Sequence, residues 1–349
     1  MKRYRPQLDG LRAVAVCGVL FQHYAPVEWS RLFSAGGWGV GLFFVLSGYL
    51  ITGILLRGKT DREQTHRPSS FLKNFYIRRA LRIMPVYYAA LVLGWWLGVV
   101  YLRESFLWHA AFLSNIYFSL QNSYCGAISP FWSLAVEQHF YLFWPWMVWM
   151  TPEHRLKKTI LGLILSGYVF RLIALAAGWN AVARAILTPC AFELLGTGAL
   201  LAYNNYKEGP SSGSTIRILL TGGLCLYPLA LLFQIKRPDT ALTFALNGIV
   251  SCGFYYGLVA GAAQGFQSAC GKWLEWKPIV YLGKLSYGIY LFHELIYSQI
   301  LPEWNYHWAG TRAALAFTGT LILSIVSYEL LETPIHNLKR YFPYNTARF

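Results

Sequence analysis

FLWHAAFLSNIYFSL (residues 106–120) decides the topology of this chain. It is apolar, but its length falls short of the roughly 20 residues that cross a bilayer as a helix. If it spans, every segment after it is inverted. If it is re-entrant or interfacial, the downstream order stands. Ten longer apolar stretches compete for spans: 11–27, 38–56, 85–102, 131–150, 157–178, 186–204, 214–234, 240–262, 278–301 and 311–333. Charge arbitrates between the two orders. With 106–120 left out and the N-terminus inside, segments 1–12, 57–84, 151–158, 205–217, 263–284 and 334–349 face the cytoplasm and hold 23 Lys and Arg. The outside loops hold six (Arg31, Arg103, Arg184, Lys236, Arg237, Arg312), and Arg171 lies within a span. That asymmetry obeys the positive-inside rule. The expectation is an all-α polytopic integral membrane protein with about ten transmembrane helices and cytoplasmic termini.

Composition agrees. Of 349 residues, 56% are hydrophobic, 17% aromatic and 13% charged, against roughly a quarter charged in soluble domains. A soluble enzyme, a disordered chain and a collagen-like fibre are excluded. The net charge of +15 orients the chain and does not call for nucleic acid. The six cysteines are isolated, so neither a disulfide framework nor a structural zinc is expected. Lys2, Arg3 and Arg5 precede the first apolar run, but Asp9 and Arg12 interrupt it and no small-x-small cleavage site follows. It reads as a retained span. Residues 1–349 read as one transmembrane domain with a basic cytoplasmic loop at 57–84 and no fused soluble domain.

Ionisable groups inside spans are costly and mark function by default. Arg12 and His23 are eleven residues apart, which at about 100° per residue places both on one helix face, roughly 16 Å apart along it. Asp9 is three residues from Arg12, within pairing reach. A cation at the rim with a base at depth suits a long ligand; the competing reading is a snorkelling Arg12 and a His23 with a local hydrogen bond. Arg78, Arg79 and Arg82 crowd a helix expected to end at Pro85, and suit phosphate through their fork-like donors or lipid headgroups. Ser133, Glu137 and Tyr141 form one polar stripe, and Ser286, Tyr290 and His293 another. Glu332 precedes Pro334 near the cytoplasmic boundary. Arg171, Glu193 and Glu294 have no partner visible in the sequence. His66, His109, His154, His307 and His336 read as structural. No metal-ligand spacing, P-loop or G-x-S-x-G elbow occurs; Ser47 in FFVLSGYLIT lacks the elbow's glycines.

Several motifs in order now become informative: LDGLRAVAV…H (8–23), GVGLFFVLSGYLIT (39–52), RRALRIMPVY (78–87), FWSLAVEQHFYLFWP (131–145), LGKLSYGIYLFH (282–293) and ETP (332–334). Through them the chain resembles the membrane-bound acyltransferase-3 family. Its R/K-x10-H motif falls on Arg12 and His23, and its R-x-x-R motif on Arg79 and Arg82. The resemblance implies an acyl-CoA-dependent O-acyltransferase in the bacterial cytoplasmic (inner) membrane. Its donor would be acyl-CoA, acetyl-CoA first, and its acceptor a carbohydrate such as lipopolysaccharide O-antigen or another surface polysaccharide. A macrolide or small glycosylated metabolite is the alternative acceptor, and a lipid-linked glycan flippase the alternative of another class. His23 is expected at the acyl-transfer centre as general base, with a carboxylate from Asp9, Glu137 or Glu332, a covalent acyl-histidine being the other route. Arg12, Arg78, Arg79 and Arg82 are expected to hold the donor, and Trp132, Ser133, Tyr290 and His293 the substrate. Membrane lipids are the remaining partners, with no metal and no nucleic acid. Two positions depart from the family pattern: Glu137 is followed by Gln138 and His139 where a second acid is usual, and Leu295, preceded by Glu294, stands where the last motif carries Pro.

Overall fold

The computed structural model describes residues 4–26, 28–29, 35–65, 70–237, 240–301 and 309–344. Lys2, Arg3, Arg31, His66 and His307 lie outside them. The described residues are helical, with no strand among them: α1 (Pro6–Tyr24), α2 (Ala35–Thr65), α3 (Phe71–Trp96), α4 (Leu102–Ala110), α5 (Ser114–Gln121), α6 (Phe131–Met150), α7 (Glu153–Ala176), α8 (Ala181–Ile186), α9 (Phe192–Lys207), α10 (Gly213–Lys236), α11 (Ala241–Gln264), α12 (Ala269–Leu274), α13 (Lys277–Glu294), α14 (Ala309–Ser327) and α15 (Thr333–Asn337).

Among the described residues, five helices are long and apolar enough to cross a membrane: Gly36–Thr60, Glu153–Ala176, Gly213–Lys236, Ala241–Gln264 and Gly310–Tyr341. The chain is a polytopic membrane protein. Helices α1, α3, α6 and α13 fall short of that criterion because they carry the Arg, Glu, His and Tyr residues that the apolar five keep away from lipid.

The decisive segment 106–120 is not a span. It divides into α4 and α5, with Phe112 in the left-handed region at φ 57° between them. Buried His109 pins the break, its Nε2 3.0 Å from Ser105 Oγ and its Nδ1 2.8 Å from Ser114 Oγ. The Tyr87 and Tyr88 hydroxyls donate to the carbonyls of His109 and Ala110, tying the broken piece to α3. Burial pushes the His109 imidazole down from its ordinary 6.5 to about 4, so it sits there neutral.

Three expectations need correction. Pro85 does not end a helix: α3 runs through it, because neighbouring helices in a bundle tolerate the lost backbone bond. Where it is described, the basic stretch 57–84 is not a loop: residues 57–65 end α2 and 71–84 begin α3, and their Arg, Lys, Glu and Gln residues are good helix formers. Segment 186–204 is broken by a 3₁₀ turn over Thr188–Ala191 containing Pro189, so the long helix starts only at Phe192.

Close helix approach is set by glycine. A Cβ at Gly48 would strike the Leu195 carbonyl and one at Gly198 the Val45 carbonyl, so α2 and α9 meet backbone to backbone. The same small-residue logic seats α13 on α1, where a Cβ at Gly283 would run into the carbonyl of Asp9.

Candidate active site

The Gly283–Asp9 approach sets α1 and α13 side by side, so their C-terminal ends meet. There His23 Nδ1 lies 2.7 Å from Glu294 Oε2. The other oxygen of Glu294 accepts from Ser298 Oγ at 2.7 Å, from the π-helical turn Leu295–Ile300 that begins at the position departing from the family pattern. A carboxylate can only accept, so at this distance a neutral His23 carries its proton on Nδ1, beside Glu294, and the lone pair on Nε2. The imidazole is thereby oriented as a base, in the way a carboxylate orients histidine in hydrolase triads.

His293 stands edge-on to His23, ring centroids 4.9 Å apart. It is fully buried. Its Nδ1 donates to the Tyr290 carbonyl at 2.8 Å, so its Nε2 carries a lone pair, and that atom has no hydrogen-bond partner among the described residues. The Tyr24 hydroxyl holds this end in place, 3.0 Å from the His293 carbonyl oxygen and 2.9 Å from Thr320 Oγ1. Ligand-type atoms of His23, His293 and Glu294 lie within 4.8 Å of one another, close enough to hold a divalent cation. The direct 2.7 Å contact, however, uses the donor pair such an ion would need. The arrangement is a close histidine–carboxylate dyad.

One face of Tyr290 belongs to this cluster, its ring 5.7 Å from that of His293. Its hydroxyl reaches Ser133 Oγ at 2.6 Å and helps wall a chamber of about 90 Å³ between α1, α2, α3, α6 and α13. Three guanidinium groups (Arg12, Arg79 and Arg82) line that chamber against a single carboxylate, Glu137. Arg12 is paired with Asp9 at 2.9 Å, and Asp9 also accepts from the Tyr4 hydroxyl at 2.6 Å. Ser47 Oγ donates to Glu137 Oε1 at 2.6 Å. The Tyr141 hydroxyl lies 3.0 Å from Ser47 Oγ and 3.2 Å from Glu137 Oε2. An excess of fork-like cationic donors in a buried chamber suits a phosphate-bearing ligand.

The expected site residues thus divide. Arg12, Arg79, Arg82, Ser133, Glu137 and Tyr290 share one chamber. His23 and His293 sit beyond Tyr290. Arg78 turns away: it donates to the carbonyls of Lys339 and Phe342 at 2.8 and 3.1 Å, with Tyr344 stacked over it at 4.6 Å. Glu332 is buried in the π-helical turn Tyr328–Glu332, in the field of Arg82 and Lys339. Trp132 faces a second cavity. None of the three carboxylates expected beside His23 is the one that touches it. Glu294 fills that place, although sequence reasoning left it partnerless. The available signal was depth: an acid at the end of α13 needs a partner from another helix, and His23 is at the matching end of α1.

Together, these features define a polytopic membrane protein with a histidine–carboxylate dyad beside a buried chamber lined by arginines. The chain belongs to the acyltransferase-3 family, whose model, described as an acyltransferase domain, matches residues 5–329. It is similar to the peptidoglycan O-acetyltransferase OatA of Listeria monocytogenes, 31% identical over 96% of this chain and 56% of that protein. It is also similar to the putative peptidoglycan O-acetyltransferase YrhL of Bacillus subtilis, at 30% over 95% and 55%. The O-acetyltransferase OatA of Staphylococcus aureus is 28% identical over 95% and 57%. The chain therefore spans about half the length of the curated relatives it matches. No solved structure matches it.

Proposed function

We propose that this chain is a membrane-embedded O-acyltransferase of the bacterial cytoplasmic membrane, moving an acyl group, acetyl first, from acyl-CoA to a hydroxyl of a glycan. The names of the relatives favour a peptidoglycan-type glycan over the lipopolysaccharide expected from sequence. The observation that carries the reading is the 2.7 Å contact between His23 and Glu294, which leaves His23 Nε2 as the free base. Ten spans with cytoplasmic termini complete the proposal. That arrangement puts the arginine end of α1 and α3 on the side where acyl-CoA is made.

Arg12, Arg79 and Arg82 take the CoA phosphates, and the pantetheine arm runs through the chamber toward Tyr290, bringing the thioester to His23. His23 Nε2 removes the proton of the acceptor hydroxyl as its oxygen attacks the thioester carbonyl, a general-base step. The tetrahedral intermediate collapses by breaking the C–S bond. The imidazolium returns its proton to the departing sulfur, giving the ester and free CoA. Glu294 stabilises the transient imidazolium, and His293 Nε2 accepts a hydrogen bond from a substrate hydroxyl. The test is transfer from radiolabelled acetyl-CoA to glycan by the purified protein in detergent. Label in the glycan with matching CoA release supports the proposal; glycan without label contradicts it.

A further inference from the structure

A second cavity, of about 480 Å³, lies between α2, α6, α7, α8, α9, α10 and α11, within the usual range of small-ligand sites. Its lining takes in the start of α2 (Gly37, Trp38), the end of α10 (Gln234) and the start of α11 (Thr243). Val40 and Phe44 line both cavities, and Trp132 stands edge-on to Phe44 at 6.1 Å. Neighbouring residues of α6 divide the two spaces: Ser133 faces the arginine chamber and Trp132 the larger one.

The chemistry of the larger cavity is specific. Arg171 and Glu193 line it and pair at 2.8 Å, with the Glu193 side chain only 2% exposed. Glu193 Oε2 and Arg171 Nε are buried with no hydrogen-bond partner among the described residues. A buried donor and acceptor left open are costly, and a ligand carrying hydroxyls satisfies both. Trp38, Trp132 and Tyr227 supply aromatic faces, and Asn247 a planar amide. Alternation of rings with hydrogen-bonding groups matches a pyranose, which has apolar C–H faces and an equatorial belt of hydroxyls. An acyl chain would leave the ion pair unsatisfied.

We propose that this cavity binds one sugar unit of the glycan acceptor, with Glu193 accepting from a sugar hydroxyl and Trp132 stacked on the ring; it rests on the glycan-acceptor reading above. The test uses the full chain in detergent and chitotetraose, a neutral oligomer of N-acetylglucosamine, as probe, with binding read by equilibrium dialysis. Coenzyme A binding to each variant verifies that it is folded. Wild type is expected to bind the oligosaccharide, and Trp132→Ala and Glu193→Gln to weaken it at least tenfold while retaining coenzyme A. Variants that bind within threefold of wild type, or a wild type that binds no oligosaccharide, overturn the cavity assignment. Acyl transfer is measured separately, so intact sugar binding without transfer contradicts the proposed reaction and leaves the cavity standing.

Discussion

His23 and Glu294 come from opposite ends of the chain, yet Nδ1 of one lies 2.7 Å from Oε2 of the other. Their contact is the point where helix packing becomes chemistry, because it decides which imidazole nitrogen is free. Replacing Glu294 with Gln keeps the volume but removes the charge that favours an imidazolium. We expect Glu294→Gln to lower kcat by about a hundredfold or more, the order seen when an oriented acid–base group is lost. The KM for acyl-CoA should stay within twofold, since Glu294 does not line the arginine chamber. Steady-state kinetics check the split; a KM effect with unchanged kcat argues against the dyad.

The arginines separate by location. Arg79 and Arg82 line the chamber, so Arg79→Ala and Arg82→Ala should each raise the KM for acyl-CoA by tenfold or more with a smaller change in kcat. Arg78 instead holds the carbonyls of Lys339 and Phe342. Arg78→Ala should leave KM near wild type and lower the thermal unfolding midpoint. Comparing the three KM values with the three midpoints checks this.

Gly283 is where α13 approaches the Asp9 carbonyl of α1. Gly283→Ala forces the helices apart, an overpacking cost of about 1–3 kcal/mol. The separation is transmitted to the His23–Glu294 end, so activity should fall together with the unfolding midpoint. A variant with wild-type activity and stability would show that the approach is not needed.

His109 is held neutral by burial, its titration lowered from 6.5 to about 4. A depressed histidine contributes stability that is present above its unfolded value and lost as pH falls toward the folded one. The unfolding midpoint should therefore fall between pH 6.5 and 4. His109→Asn should be less stable at pH 7 and show a shallower fall. Melting curves at pH 7 and pH 5 measure both.

What was legible in the sequence was local. The short length of 106–120 and the charge asymmetry around it separate it from the spans, and α4 and α5 are indeed too short to cross. Helical period alone puts Arg12 and His23 on one face, because both belong to one element. The Glu294 partner was legible only through depth and not through spacing, since contact between α1 and α13 depends on the close approach at Gly283. Arg78 illustrates the same limit: it shares a motif with Arg79 and Arg82, yet its partners come from the end of the described chain. Helices α1, α3, α6 and α13, which fall outside the five apolar spans, carry most of the polar residues that build the chamber and the dyad.

The most direct test of the central claim is acceptor-dependent CoA release by purified protein carrying His23→Ala, measured with acetyl-CoA and the glycan acceptor. The account predicts that coenzyme A still binds with near wild-type affinity while acceptor-dependent release drops to background. Near-normal release by His23→Ala would contradict it.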